Sequence, residues 1–200
     1  MCSQLGETRA KVVSMQREPS VIAFAGHMTD AKSGPARFPE ARVPAVRAAI
    51  HEKLVGLHAP LVGVSSAARG GDLLFLEALL ALGGSAQIIL PFPAEDFRRT
   101  SVGHGWNDAF DRALGAERVT LAPPIHDQLP ATDEARGRAF GEVNREILRI
   151  ALALAVQRHA EPLFLALYHS SDQDKEGGTK RALDEWQREG RRVAIVDPLP

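Results

Sequence analysis

Residues 62–84 read VGVSSAARGGDLLFLEALLALGG. The stretch begins as an apolar, β-rich run, breaks at a turn of small and polar residues from Ser65 to Asp72, and continues as an apolar segment of helical length. A short buried strand followed at once by a helix is the unit of a parallel sheet, because parallel neighbours need a crossover connection. The same alternation recurs outward in both directions. Further strand candidates are VIAFA (21–25), QIILPF (87–92), RVTLAP (118–123), LFLALY (163–168) and RVAIVD (192–197), beside LVGVSS at 61–66. Between the first two, Val43, Val46, Ile50, Leu54 and Leu57 recur at helical spacing, with Pro44 acceptable in a first turn. The other helices are expected at 71–82, 106–115, 134–158 and 178–189, each followed by a Gly, Pro or polar break. The pattern predicts an α/β fold: a three-layer, Rossmann-like domain around a mainly parallel sheet of about six strands.

Composition agrees with one globular domain. The chain has 200 residues, of which 44% are hydrophobic and 24% charged, and its formal net charge is −1. That balance gives no broad electrostatic footprint for duplex nucleic acid. The single cysteine, Cys2, excludes an internal disulfide framework, and no stretch reaches the roughly 20 apolar residues of a membrane span. The opening MCSQLGETRAKVVSMQREP is too polar for a secretory signal, so the expected location is the cytoplasm. Residues 19–200 are read as one domain; residues 1–18 are an extension that either carries a short strand in KVVSM or is flexible. The Pro-rich connection 122–131 reads as loop.

All strand-to-helix turns of such a sheet lie on one edge, and ligands bind in the crevice outside the strands' carboxyl ends. Three small or glycine-rich turns fall there: GHMTD with Gly26 and His27, SSAARGGD after the second strand, and HSSDQDKEGGTKRAL after the fifth. Each alone also reads as a plain turn, since Gly and Ser are default turn residues. Together they suit an anion at helix N-termini, where N–H groups and the positive end of the dipole face outward. Arg69 offers a fork of donors beside Gly70 and Gly71. Asp72 reads first as a residue that holds the turn. Gly177 and Gly178 open the last helix, and Thr179 offers a hydroxyl as a cap or a phosphate contact. GVSSA approaches the nucleophile elbow but lacks its second glycine, and no histidine follows the later acids. The seven histidines lack ligand spacing, so neither a metal nor a cofactor is expected. In PFPAEDFRRTSVGHGW, Phe92, Phe97, Ser101 and Trp106 either wall the pocket for base stacking or pack the loop onto the core.

Several of these motifs, in order, resemble the Smf/DprA and LOG superfamily, often called SLOG. SSAARGGDLLFLEALLALGG looks like the S-G-x-A-x-G-x-D-x-x-x-H-x-x-A-L-x-x-G signature of its DNA-processing branch, with Glu77 near the histidine position. FGEVNREILRIALAL resembles that branch's F-x-x-R-N-R-I-I-A-x-L, with Phe140, Asn144 and Arg145 matching and Val143 in place of the first arginine. GGTKRALDEWQREGRRVAIVDP resembles the superfamily's G-G-T segment, helix and last strand. The likeness extends to the versions fused to tetratricopeptide repeats or cyclase-type signalling modules, through GH after the first strand, ILPFPAEDFRRTSV, and Trp186 before the last strand.

The resemblance covers roughly residues 20–198 and implies binding of a phosphorylated nucleotide or nucleotide-derived signal. The residues it assigns are Gly26, His27, Ser65 with its neighbour Ser66, Arg69, Gly70, Gly71, Asp72, Gly177, Gly178 and Thr179, with Asn144 touching or supporting the pocket. The phosphate would lie between Gly70–Gly71 and Gly177–Gly178. Two other branches imply different functions. LOG-type enzymes hydrolyse the glycosidic bond of nucleoside monophosphates with a glutamate close behind the G-G-T. Here Lys180, Arg181 and Ala182 follow Thr179, Asp184 and Glu185 sit on an ordinary charged face, and no residue is assigned as catalytic. The DprA-type branch implies single-stranded DNA binding in recombination, for which Arg98, Arg99, Arg136, Arg138, Arg145 and Arg149 are the available cations. A homodimer through 145–156, or a separately encoded effector, would complete a signalling module.

Overall fold

The computed structural model describes residues 20–30, 36–169 and 178–199, so the strand candidate at KVVSM lies outside the described residues. Six strands form one parallel sheet: β1 (Ser20–Gly26), β2 (Leu61–Ser65), β3 (Ser85–Ile88), β4 (Val119–Leu121), β5 (Pro162–Leu167) and β6 (Arg192–Val196). Their order is β4-β3-β2-β1-β5-β6. The chain steps outward from β1 through β2, β3 and β4. It then returns along one long helix to set β5 on the other side of β1.

Helices cover both faces. On one lie α1 (Val43–Val55), α2 (Gly71–Ala81) and α4 (Asn107–Leu114); on the other lie α5 (Asp133–Arg158) and α6 (Thr179–Arg188). A short turn of helix, α3 (Ala94–Phe97), runs into a wide π-type turn at Arg98–Val102. Strand β1 shows why the layers form: Ile22 and Phe24 enter the first core, while Val21, Ala23 and Ala25 enter the second. Successive strand side chains point to opposite faces, so a strand with both faces buried must be apolar throughout. α2 is likewise buried almost all round, because it lies between the sheet, α1 and α4.

The predicted three-layer architecture and its six strands are present. The largest displacement is β3, expected at 87–92 and observed at Ser85–Ile88. Its early start follows from the end of α2. Gly83 takes φ +78°, its N–H bonds the Leu80 carbonyl, and the Gly84 N–H bonds that of Leu79. This glycine-based stop ends the helix abruptly and delivers the chain to the sheet at Ser85. The early finish follows from β2: its last residue, Ser65, pairs with Ile88, and Pro91 and Pro93 lack the N–H that a ladder needs. α5 starts one residue before its expected position, with the Thr132 hydroxyl accepting from the Ala135 N–H.

Gly63 sets the spacing between β2 and α2. A Cβ there would come within 2.5 Å of Leu79 Cδ2 and 2.8 Å of Phe75 Cζ. Phe75 in turn stacks flat on Phe24, with centroids 4.5 Å apart and planes 7° from parallel. Gly63→Ala is therefore expected to cost about 1–3 kcal/mol by overpacking. Gly105→Ala, at a site with nothing within 4 Å of the added Cβ, is expected to stay within about 0.5 kcal/mol of the parent. Urea unfolding of the two variants checks the contrast.

Candidate functional site

Strand order reverses between β1 and β5, and in open α/β sheets the crevice outside the carboxyl ends at that point receives ligands. A cavity of about 540 Å³ opens there. The end of β1 supplies Gly26 and His27, the turn after β2 supplies Ser66, and α2 supplies Asp72. Gly178 and Thr179 close one side at the start of α6. Across from them runs a stripe of α5 from Asp133 through Arg136, Gly137, Phe140 and Asn144 to Ile147. The i, i+3, i+4 spacing puts these residues on one helix face.

Seven of the expected site residues thus meet around one space: Gly26, His27, Ser66, Asp72, Asn144, Gly178 and Thr179. Ser65, Arg69, Gly70 and Gly71 do not line it. Gly177 falls outside the described residues. The reason lies in the join between β1 and α2. Gly71 donates its N–H to the His27 carbonyl at 3.0 Å, and a Cβ on Gly71 would lie 3.1 Å from Gly26 Cα. Gly70, at φ +85°, is as confined, since its Cβ would meet Thr29 N at 2.7 Å. Arg69 points its Nε at the Thr29 carbonyl, 3.3 Å away, and gives its own N–H to the Ser101 carbonyl. These residues serve a tight backbone junction. The N-terminus of α2 is occupied by the protein itself, so the expected phosphate position between two helix N-termini keeps only its α6 side.

Asp72 is almost wholly buried. Its carboxylate accepts the N–H of Ala68 at 3.2 Å and that of Gly26, bonds that would favour the charged form. Burial outweighs them and pushes the carboxyl up to about 7. Ser66 is nine-tenths buried, and its hydroxyl has no hydrogen-bond partner in the protein. The Ser65 hydroxyl is also unpartnered, but it is fully buried away from the cavity. At α6 the N-cap is Gly178, which has no side chain to satisfy the helix's first N–H groups. A buried hydroxyl without a partner and an uncapped helix start, facing one space, are the groups that a hydrogen-bonding anion would satisfy.

Behind His27 a second set of polar groups joins β5 to β6. The His169 N–H donates to His27 Nε2 at 3.4 Å, and His169 Nδ1 lies 2.8 Å from Asp197 Oδ1. The aromatic residues after β3 pack inward: Phe92 and Phe97 are fully buried and face each other at 5.9 Å. They hold Phe140 of α5 at 6.0 and 6.5 Å, and Phe140 is the ring that reaches the cavity. Arg37, Thr100 and Arg136 complete the wall; periodicity and turn chemistry gave no sign of them, because three separate elements deliver them.

Four of the six arginines considered for a nucleic-acid backbone pair with nearby acids. Arg98 pairs with Asp111, Arg99 with Asp96, Arg136 with Asp133 and Arg149 with Glu146. Asp184 pairs with Lys180, and neither Asp184 nor Glu185 lines the cavity. A larger, shallower depression of about 1030 Å³ follows the outer side of α5, where Glu146 and Arg149 neutralise each other. Among the described residues there is no cluster suited to a metal ion, and no helix is long and apolar enough to cross a membrane.

No family model matches this chain, and no curated protein matches it. Among solved structures, the X-ray structure of DNA processing protein A (DprA) from Streptococcus pneumoniae is similar, with 16% identity over 89% of this chain and 58% of that one. The TM-score is 0.40, too low for any residue or activity to be carried across.

The buried carboxyl makes stability depend on pH. In the unfolded chain Asp72 loses its proton near its ordinary value of 3.8, whereas the folded chain keeps it to about 7. The folded state holds more protons between these values, so stability falls as pH rises from about 4 to 7 and levels off above. The full effect is on the order of 4 kcal/mol at about 1.4 kcal/mol per pH unit. Urea unfolding from pH 5 to pH 8 should show this decline in the parent relative to Asp72→Asn. Parallel profiles would mean that the folded protein carries Asp72 ionised throughout.

Proposed function

We propose that the protein binds a nucleotide or nucleotide-derived phosphate ester in the cavity between β1, α5 and the start of α6, as a sensing or signalling module. The observation that carries this reading is the Ser66 hydroxyl, buried without a partner in the same cavity as the uncapped start of α6. A phosphate oxygen accepts from both kinds of donor, and the half-charge at a helix N-terminus favours it. The size supports a ligand of nucleotide dimensions, since small-molecule sites commonly span about 300–1,000 Å³. Phe140, fixed by Phe92 and Phe97, offers a ring face or edge to a base. Two neighbouring readings have less behind them. Glycosidic cleavage of LOG type needs an acid at the G-G-T helix, and the acids there lie away from the cavity. Single-stranded DNA binding needs an open basic track, and Arg98, Arg99, Arg136 and Arg149 are each paired with an acid.

A thermal-shift panel of nucleoside mono- and diphosphates, cyclic nucleotides, NAD, ADP-ribose and a short single-stranded DNA tests the reading. A ligand at 100 times its dissociation constant stabilises by about 2.7 kcal/mol. For a domain near this size that is about 5–10 °C. One nucleotide class should give such a shift at both low and moderate salt, and Gly178→Asp, which places a carboxylate at the start of α6, should abolish it. A shift with DNA alone that fades with added salt would overturn the proposal in favour of backbone binding.

A further inference from the structure

The charges around the cavity do not balance an ordinary nucleotide phosphate. Its ionisable groups among the described residues are His27, Arg37, Asp72, Asp133 and Arg136, so two cations face two carboxylates. Arg136 is tied to Asp133 and to the carbonyls of Pro130 and Ala131 at the outer end of α5. The cations of the neighbouring elements are turned to other work: Arg69 to the Thr29 carbonyl, Arg98 to Asp111, Arg99 to Asp96, and Lys180 to Asp184. What converges on the interior is a set of neutral polar groups, the unpartnered Ser66 hydroxyl, Asn144, Thr179, and Ser101 bonded to Thr100, whose own hydroxyl donates to the Asp96 carbonyl, with the partial positive charge of the α6 N-terminus and the Asp72 carboxyl. Sites for terminal, doubly charged phosphates surround them with arginine or lysine forks. Here, among the described residues, the lining arginines are Arg37 and the Asp133-bound Arg136, and the interior holds the Asp72 carboxyl.

We propose that the cavity selects a singly charged phosphodiester of a nucleoside, such as a cyclic monophosphate, over a doubly charged phosphate monoester, and that Asp72 sets this preference. The inference rests on the nucleotide reading above. A single negative charge matches the partial charge of one helix end and the neutral hydroxyls. A second charge would sit near Asp72, where the lining cations among the described residues are Arg37 and the Asp133-bound Arg136. Burial keeps the Asp72 carboxyl protonated up to about pH 7, so the discrimination strengthens above that and relaxes below it.

The test is calorimetric titration of the full chain with the 3′,5′-cyclic monophosphates and the 5′-monophosphates of adenosine, guanosine, cytidine and uridine. The 5′-esters lose their second proton near pH 6, so they are dianions at pH 8, whereas the cyclic esters stay singly charged. For the best-bound base, the cyclic form should bind at least about tenfold more tightly than the 5′-monophosphate at pH 8, with the gap closing to about threefold or less at pH 6. Asp72→Asn should close it at pH 8 by improving the monophosphate. Because that variant removes a buried partner of two N–H groups, the pH series on the parent stands as an independent measure. A monophosphate that binds as well as the cyclic form at pH 8 overturns the inference and leaves the nucleotide reading intact. So does a gap that persists unchanged at pH 6, since shape and not charge would then decide. No binding by any of the eight compounds also overturns the inference, and the nucleotide reading is then decided by the diphosphates, NAD and ADP-ribose of the thermal-shift panel.

Discussion

The end of β1 and the start of α2 are held together at backbone distance, and the rest of the site depends on that join. Gly71 gives its N–H to the His27 carbonyl, and Asp72 accepts from Gly26 and from Ala68. These bonds couple β1, the turn after β2 and α2, adding to the packing of Phe75 on Phe24. They are short because Gly26 and Gly71 lack side chains, and a Cβ on Gly26 would lie 2.9 Å from the Phe24 ring. The cost is that α2 has no free N-terminus to offer a ligand. The helix start that does line the open space is that of α6, whose first residue, Thr179, follows a glycine.

Asp72 then serves two purposes that pull in opposite directions. As an acceptor of two backbone N–H groups it fixes the junction, and acceptors of that kind work best when charged. As a group with almost no exposure it pays for charge through lost hydration, and that loss dominates. The resolution is a carboxyl that is neutral or charged according to conditions near neutrality, at the wall of a cavity with no excess of cations. A protein needing only the junction would be served by an asparagine or a serine, which accept without titrating. Keeping an ionisable group there makes the interior's charge a property of the site.

The fold was legible because its signal is local. Buried parallel strands are short continuous apolar runs, helices repeat at 3.6 residues, and glycines or prolines separate them. Boundaries failed where a signal was remote or missing. Ile89 and Leu90 look like strand, but the ladder stops once β2 has ended at Ser65: Ile89 gives its N–H to the Ser65 carbonyl, and Leu90 accepts from Ile125 in the following loop. The end of α5 falls at Arg158 as expected, although His159 closes it in the left-handed conformation, φ 52°, without the glycine that usually announces such a stop. The site was half legible for a related reason. A glycine-rich turn reads the same whether it admits a phosphate or a neighbouring backbone, so Gly70 and Gly71 looked like a cradle and are a joint. The opposite wall comes from Arg136 and Phe140, more than 100 residues from β1, and only the folded topology brings them to it.

The length of α5 explains why that wall exists at all. Its 26 residues extend about 39 Å at 1.5 Å per residue. β1 has seven residues, about 23 Å at 3.3 Å each. The helix must cross the sheet to deliver the chain to β5, and it outruns the strand beneath it by roughly 16 Å. From Ile147 to Ala155 its inner face is core, with Ile147, Leu148, Ala151 and Ala155 buried against β1 and β2. From Asp133 to Phe140 that face overhangs the carboxyl edge, Val143 rejoins the core, and Phe140 and Asn144 line the cavity with Ser66 and Asp72. One amphipathic face therefore does different work along its length: the second half stabilises the fold by burial, and the first half encloses the cavity. The overhang is not free of the core, since Ala139 and Val143 are buried and Phe140 packs on Phe92 and Phe97, so the residues that enclose the cavity also fasten the helix to both layers.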